Sequence, residues 1–147
     1  MTRRSLRGII LTMIVYLNGM QEDGSVRSPA LPQSNTHPIG VFAAETLAVY
    51  LTVTLPSGQP VDLTALGYMP HITIKKHTGD RSAVVSKDFS LRADLGRGRA
   101  AVTIAQTDYR QSDPGLYVYD VWLQTSTGAA VACIVQPSVF QLLPSVR

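Results

Sequence analysis

The sequence predicts an all-β fold, a β-sandwich of about seven strands with an extended N-terminal arm, and three observations carry that prediction. From Val41 onward, short segments rich in β-branched and aromatic residues recur at fairly regular spacing between clusters of Gly, Pro, Asp and Ser, as strands and turns do. Within these segments apolar and polar residues alternate with a period of two, and no helical period is sustained. Residues 21–40 (QEDGSVRSPALPQSNTHPIG) break the pattern with three prolines, several Ser, Asn and Thr, and no apolar periodicity. A stretch that cannot bury itself offsets its ordering entropy by lying against a surface, so it reads as an arm whose partner is a neighbouring subunit. The chain divides accordingly into residues 1–40, an N-terminal strand and arm, and residues 41–147, the sandwich.

At the N-terminus, Arg3, Arg4 and Arg7 precede the apolar run Gly8–Leu17. The likeness to a secretory signal stops there, because Asn18–Asp23 (NGMQED) has no small-x-small cleavage site and the run is too short to span a bilayer. The β-branched and aromatic residues between Ile9 and Tyr16 lose side-chain freedom in a helix, which predicts a strand that pairs with a sheet edge.

Further along, Glu45–Leu55 (ETLAVYLTVTL) is a strand closed by the turn residues of Pro56–Pro60. Tyr68–Lys76 places Ile72 and Ile74 on one face and His71, Thr73 and Lys75 on the other, and Thr78-Gly-Asp80 turns the chain. Ala83–Leu91, with Phe89 and Leu91 in step, a turn over Asp94–Gly98, and Arg99–Gln106 continue as a meander. Asp113-Pro-Gly115 launches Leu116–Thr125 (LYVYDVWLQT), the clearest strand of the chain. Ser126-Thr-Gly128 is a hairpin tip leading into Ala129–Val135, and Val139–Leu143 is the last strand before Pro144.

Strands of this number and spacing are the signature of two sheets packed face to face in an immunoglobulin-like β-sandwich. A chain of 147 residues buries enough surface, roughly 68–70%, to close such a core without staples. Cys133 is the single cysteine and sits in an apolar run, so it reads as a small buried hydrophobe; Trp122 is a candidate core anchor.

The chemistry that an enzyme needs is not legible. The histidines fall in the arm (His37), on a strand (His71) and at a turn (His77), with no metal-ligand spacing among them. Gly96-Arg-Gly98 lacks the helix and the Gly-Lys-Ser/Thr ending of a phosphate loop and reads as a turn. Tyr117, Tyr119 and Trp122 would make a sugar-binding platform only if exposed together, yet parity puts the tyrosines on one face and the tryptophan on the other. Asp62-Leu-Thr64 and Asp120 read as turn caps or backbone acceptors. The net charge is +3, and eight of the thirteen basic residues (Lys75, Lys76, Arg81, Lys87, Arg92, Arg97, Arg99, Arg110) lie between positions 75 and 110. Asp80, Asp88, Asp94 and Asp108 interrupt them without interleaved aromatics, which favours a salt-bridged docking surface over a nucleic-acid site. No catalytic, cofactor-binding or metal residue is expected, and neither is a membrane partner.

Three elements together resemble a known family: Asp62-Leu-Thr64, the Ile72-x-Ile74-Lys75 strand, and Asp113-Pro-Gly-Leu-Tyr-Val-Tyr-Asp-Val121. In this order they are similar to the immunoglobulin-like N-terminal domain of phage baseplate upper proteins and related tail and virion components. The resemblance covers roughly Glu45–Pro144. It implies a non-enzymatic virion structural protein that docks on tail, baseplate or capsid subunits, as an adaptor or as a capsid cement (decoration) protein, and forms a homo-oligomer within the assembly. The chain departs from the family in its apolar N-terminal strand and long arm, and in reaching Arg147 without a receptor-binding or fibre domain, which points away from direct host recognition. A carbohydrate- or host-surface-binding sandwich is the alternative expectation.

Overall fold

The structure, a computed structural model, describes residues 12–20, 38–43, 45–55, 57, 59–92, 94, 96–109 and 113–144. The described chain is all-β, with nine strands: β1 (Thr12–Met20), β2 (Ile39–Phe42), β3 (Thr46–Thr54), β4 (Met69–Lys75), β5 (Val85–Asp88), β6 (Ser90–Leu91), β7 (Arg99–Ile104), β8 (Gly115–Gln124) and β9 (Ala130–Leu143). Two single-turn helices interrupt them, α1 (Leu63–Leu66) and α2 (Gln106–Tyr109). The strands form a four-stranded sheet in the order β1-β3-β7-β6 and a five-stranded sheet in the order β2-β9-β8-β4-β5. The expected arm residues 21–37, and Ile9–Leu11 of the apolar run, lie outside the described residues.

Alternation in the sequence becomes burial here. Leu47, Val49, Leu51 and Val53 of β3 and Ile72 and Ile74 of β4 point inward, as do Tyr117, Tyr119, Val121 and Leu123 of β8, and all join one apolar cluster shared by both sheets. Tyr119 meets Phe140 edge to face, with centroids 6.3 Å apart and planes at 76°. β1 is part of this unit: it pairs with β3 in parallel along its whole length, and Leu17 is fully buried in the shared cluster. Cys133 is buried, as expected, and its thiol donates to the Val135 carbonyl at 3.2 Å.

Three expectations need correction. The segment Ala83–Leu91 is not one strand of a meander. β5 pairs with β4 in the five-stranded sheet and β6 with β7 in the other, so the chain changes sheet at Phe89, whose side chain is buried and whose amide donates to the Pro70 carbonyl at 2.9 Å. Secondly, Ala129–Val135 and Val139–Leu143 are one strand, which takes one from the expected count of about seven, while β1, β2 and the division of Ala83–Leu91 into β5 and β6 add to it. Pro137 is tolerated because β9 carries an extra residue against β8 there: Tyr119 faces Ser138 while Val121 faces Val135. Two more extra residues, at Val121/Trp122 and Leu123/Gln124, break the alternation, and Cys133, Ile134 and Val135 are buried in succession. Thirdly, Trp122 does not anchor the core; the tyrosines took the inner face of β8 and left it on the outer one.

Turn chemistry behaves as the residues dictate. Asp62 caps α1, its carboxylate accepting from the Ala65 amide at 3.1 Å, and Gly67 ends the turn in the left-handed region. Gly98, at φ +72°, closes the β6–β7 turn where a Cβ would stand 2.5 Å from the Val53 carbonyl oxygen, so only glycine fits.

The burial of Leu17 gives β1 a measurable weight. Leu17→Ala is expected to lower unfolding stability by about 3 kcal/mol in chemical denaturation. Val139→Ala, at a position 45% exposed, is expected to stay within about 0.5 kcal/mol of the parent. Equal effects of the two changes would contradict the placement of β1 in the core.

Candidate docking face

The outer face of the five-stranded sheet collects chemistry from all five strands. At one end, β2, β9 and β8 present Phe42, Val139 and Leu116, exposed by 39%, 45% and 61%, with half-buried Val118 and Leu143 between them. In the register Phe42 faces Leu143 and Val118 faces Val139, while Leu116 faces Gln141, which lies between Val139 and Leu143 on the same face of β9. Contiguous exposed apolar side chains of this kind mark an interaction surface better than scattered ones do.

Past Val118, which faces Lys75, the same face turns polar. Asp120 faces Thr73 and Trp122 faces His71, and a hollow of about 270 Å³ opens among Thr73, Lys75, Val118, Asp120, Trp122 and Pro137. Burial holds the Asp120 carboxyl above its ordinary pKa, opposed by the Trp122 indole N–H that it accepts and by Lys75 and His71. The expectation that Asp120 serves backbone is thus replaced by a side-chain partner on its own strand.

Beyond Trp122, His71 sits directly opposite Asp88 on β5, and its ring bridges two side chains of that strand. Nδ1 lies 2.7 Å from Asp88 Oδ1, and Nε2 lies 2.7 Å from Ser86 Oγ. This connectivity joins a hydroxyl, an imidazole and a carboxylate, which the sequence had not linked, and it calls for a chemical judgement. In an acyl-transfer triad the carboxylate is buried, and preorganised donors await an oxyanion in a water-excluding site. Here the Asp88 side chain is 67% exposed and the His71 side chain 18%, on an open sheet face, so water screens the carboxylate. The group is suited to clipping β5 to β4 across the strands.

The basic residues of positions 75–110 do not form one stripe. Lys87 reaches Asp108 at 2.8 Å and the Thr103 carbonyl at 3.1 Å, tying β5 to the other sheet. Arg92 holds Asp94 through two nitrogens at 2.9 and 2.7 Å, and Arg97 lies 3.9 Å from Asp62. Lys76 stands 4.5 Å over the Tyr117 ring. Salt-bridged pairs spread over several surfaces match the mixed signs of the sequence.

The tyrosines are unavailable as a sugar platform. Tyr117 is buried, with its hydroxyl donating to the Asp113 carbonyl, and burial pushes the Tyr119 hydroxyl above its ordinary pKa against a hydrogen bond with Ser138. His77 pairs locally with Asp80 at 3.6 Å, and His37 lies outside the described residues. Among the described residues no group of three or more His, Cys, Asp or Glu is placed to hold a metal, and no helix is long and apolar enough to cross a membrane.

Comparison with known proteins adds the fold alone. No family model matches the chain, and no curated protein matches it in sequence. Among solved structures it is similar to the N-terminal domain of phage TP901-1 ORF48, at 9% identity and a TM-score of 0.54, covering 88% of this chain and 98% of that one. A cysteine protease inhibitor, EhICP2, from Entamoeba histolytica matches at 6% identity and a TM-score of 0.41, over 90% of this chain and 97% of the inhibitor.

The raised pKa of Asp120 has a sign that can be measured. A carboxyl that is harder to ionise when folded costs stability once charged, and that cost appears as pH rises through its folded-state pKa and goes as pH falls below it. Asp120→Asn removes the charge, so thermal melts should place the variant at or above the parent at neutral pH, with the difference shrinking as pH falls through the carboxylate range. A variant less stable at neutral pH would mean that the hydrogen bond from Trp122 outweighs burial.

Proposed function

We propose that the chain is a non-enzymatic structural component of a phage particle that docks on neighbouring subunits. The observation that carries this reading is the likeness to the TP901-1 ORF48 domain, which extends over 98% of that domain. Within the virion, an adaptor of the tail or baseplate, or a cement protein on the capsid, is the role that a compact sandwich with a two-part outer face suits. The partners are other virion subunits, met through the apolar patch around Leu116 and Val139 and the polar ground around Asp120 and Trp122.

We also read the fold as immunoglobulin-like. The β3-β7-β6 order in one sheet and the β9-β8-β4-β5 order in the other correspond to strands B-E-D and G-F-C-C′ of that architecture, with β2 parallel to β9 beside it. The Tyr117 hydroxyl, bonded to the backbone four residues upstream at the start of β8, supports the same reading, because sandwiches of this kind carry such a corner between strands E and F.

Two measurements test the proposal. Mass spectrometry of purified particles from cells encoding the chain should find it at a fixed ratio to the major structural proteins, persisting through salt and nuclease washes. Its absence from particles, with the protein left in the soluble lysate, would contradict the role. For the non-enzymatic part, a serine-reactive fluorophosphonate should leave Ser86 unmodified, and ester turnover should be the same for the parent and for Ser86→Ala. Labelling of Ser86 that disappears in His71→Ala would contradict it.

A further inference from the structure

The hollow beside Trp122 owes its shape to an irregularity in the neighbouring strand. Tyr119 faces Ser138 and Val121 faces Val135, so Gln136 and Pro137 both stand opposite Asp120. An extra residue of this kind bends its strand and interrupts the row of side chains beside β8, and sheets use such bulges to re-aim side chains next to a site. Pro137 has no N–H to give to the ladder, which fixes the interruption at this point of the sequence. The space left, about 270 Å³, is lined by Thr73 and Lys75 of β4, by Val118, Asp120 and Trp122 of β8, and by Pro137.

This lining discriminates among ligands. Trp122, Val118 and Pro137 form an apolar wall, and three polar groups of different kinds adjoin it. Ionised Asp120 only accepts hydrogen bonds, Lys75 only donates them, and the Thr73 hydroxyl does both. The charge of Lys75 acts on Asp120, so the two share one electrostatic environment. An anion in the hollow would meet Asp120, and a cation would meet Lys75. A wholly apolar ligand would strip water from all three groups without replacing its hydrogen bonds. A neutral ring with hydroxyls around its edge and C–H groups on its face satisfies both parts of the lining. Its hydroxyls donate to Asp120 and accept from Lys75 and Thr73, while its C–H face lies on the indole. The volume is below the roughly 300–1,000 Å³ of sites for drug-sized ligands, which suits a single sugar ring.

We propose that this hollow is a saccharide subsite, in which Trp122 is the stacking wall, Asp120 anchors ring hydroxyls, and Thr73 and Lys75 complete their hydrogen bonding. The inference goes beyond the docking reading and does not rest on it, because one ring fills the hollow and leaves the surrounding face for subunit contact.

Trp122 is the single tryptophan of the chain, so intrinsic tryptophan fluorescence reports on this site alone. Titration of the full chain with glucose, galactose, mannose and N-acetylglucosamine in turn should give, for at least one, a saturable change with a Kd on the order of 1 mM. Asp120→Asn and Thr73→Val, each first shown to be folded by its thermal melt, should weaken that binding about ten-fold. In Trp122→Ala, saturation transfer from protein to sugar protons should be lost. No saturable response to any of the four up to about 100 mM overturns the proposal, as does a response that both Asp120→Asn and Thr73→Val leave unchanged. A saturable, Asp120-dependent response to tetramethylammonium or sulfate, with none to a sugar, also overturns it by making the hollow an ion site. A sugar bound by a chain that is absent from particles leaves the subsite standing and removes the docking role. A chain that is found in particles and binds none of the sugars does the reverse.

Discussion

The rest of the structure depends on the passage of one segment between two sheets. Val85–Asp88 is hydrogen-bonded to β4, Ser90–Leu91 to β7, and between them Phe89 turns inward and donates its amide to Pro70. A seven-residue stretch that belongs to both sheets cannot let them slide or part without losing its own pairing. Burial of the Phe89 ring between the layers is therefore the point at which two sheets become one core.

With both inner faces committed to that core, only outer faces and edges remain for function. The five-stranded sheet has an outer face that is apolar toward Phe42 and Leu116 and polar toward Asp120 and His71, while the four-stranded sheet ends on β1. The polar groups that might have suggested catalysis are used across strands, as His71 is between Ser86 and Asp88.

Much of this was legible in the sequence, where the signal was local. The alternation in β4 put Ile72 and Ile74 together on one face, parity separated Tyr117 and Tyr119 from Trp122, and Asp62 and Gly98 announced the cap and the turn that they make. What was not legible depended on distant partners. Period two says which residues share a face but not which sheet the face belongs to, so the change of sheet at Phe89 was invisible. Pro137 reads as a strand end unless the extra residue opposite β8 is known. The parallel pairing of β1 with β3, and the meeting of His71 with residues 15 and 17 positions away, follow from register rather than from any motif. Trp122 showed that parity alone cannot decide which face of a strand becomes the core.

The two sheets share one apolar core, so they should open as one unit. Native-state hydrogen exchange on Phe89→Ala tests it most directly, because the change leaves the strand sequences intact and removes the ring between them. Amides of β3 and β7 in one sheet and of β4 and β8 in the other are expected to lose protection together, by about 3 kcal/mol or more. If one sheet kept its full protection while the other opened, the two would be separately stable layers, and the claim would be wrong.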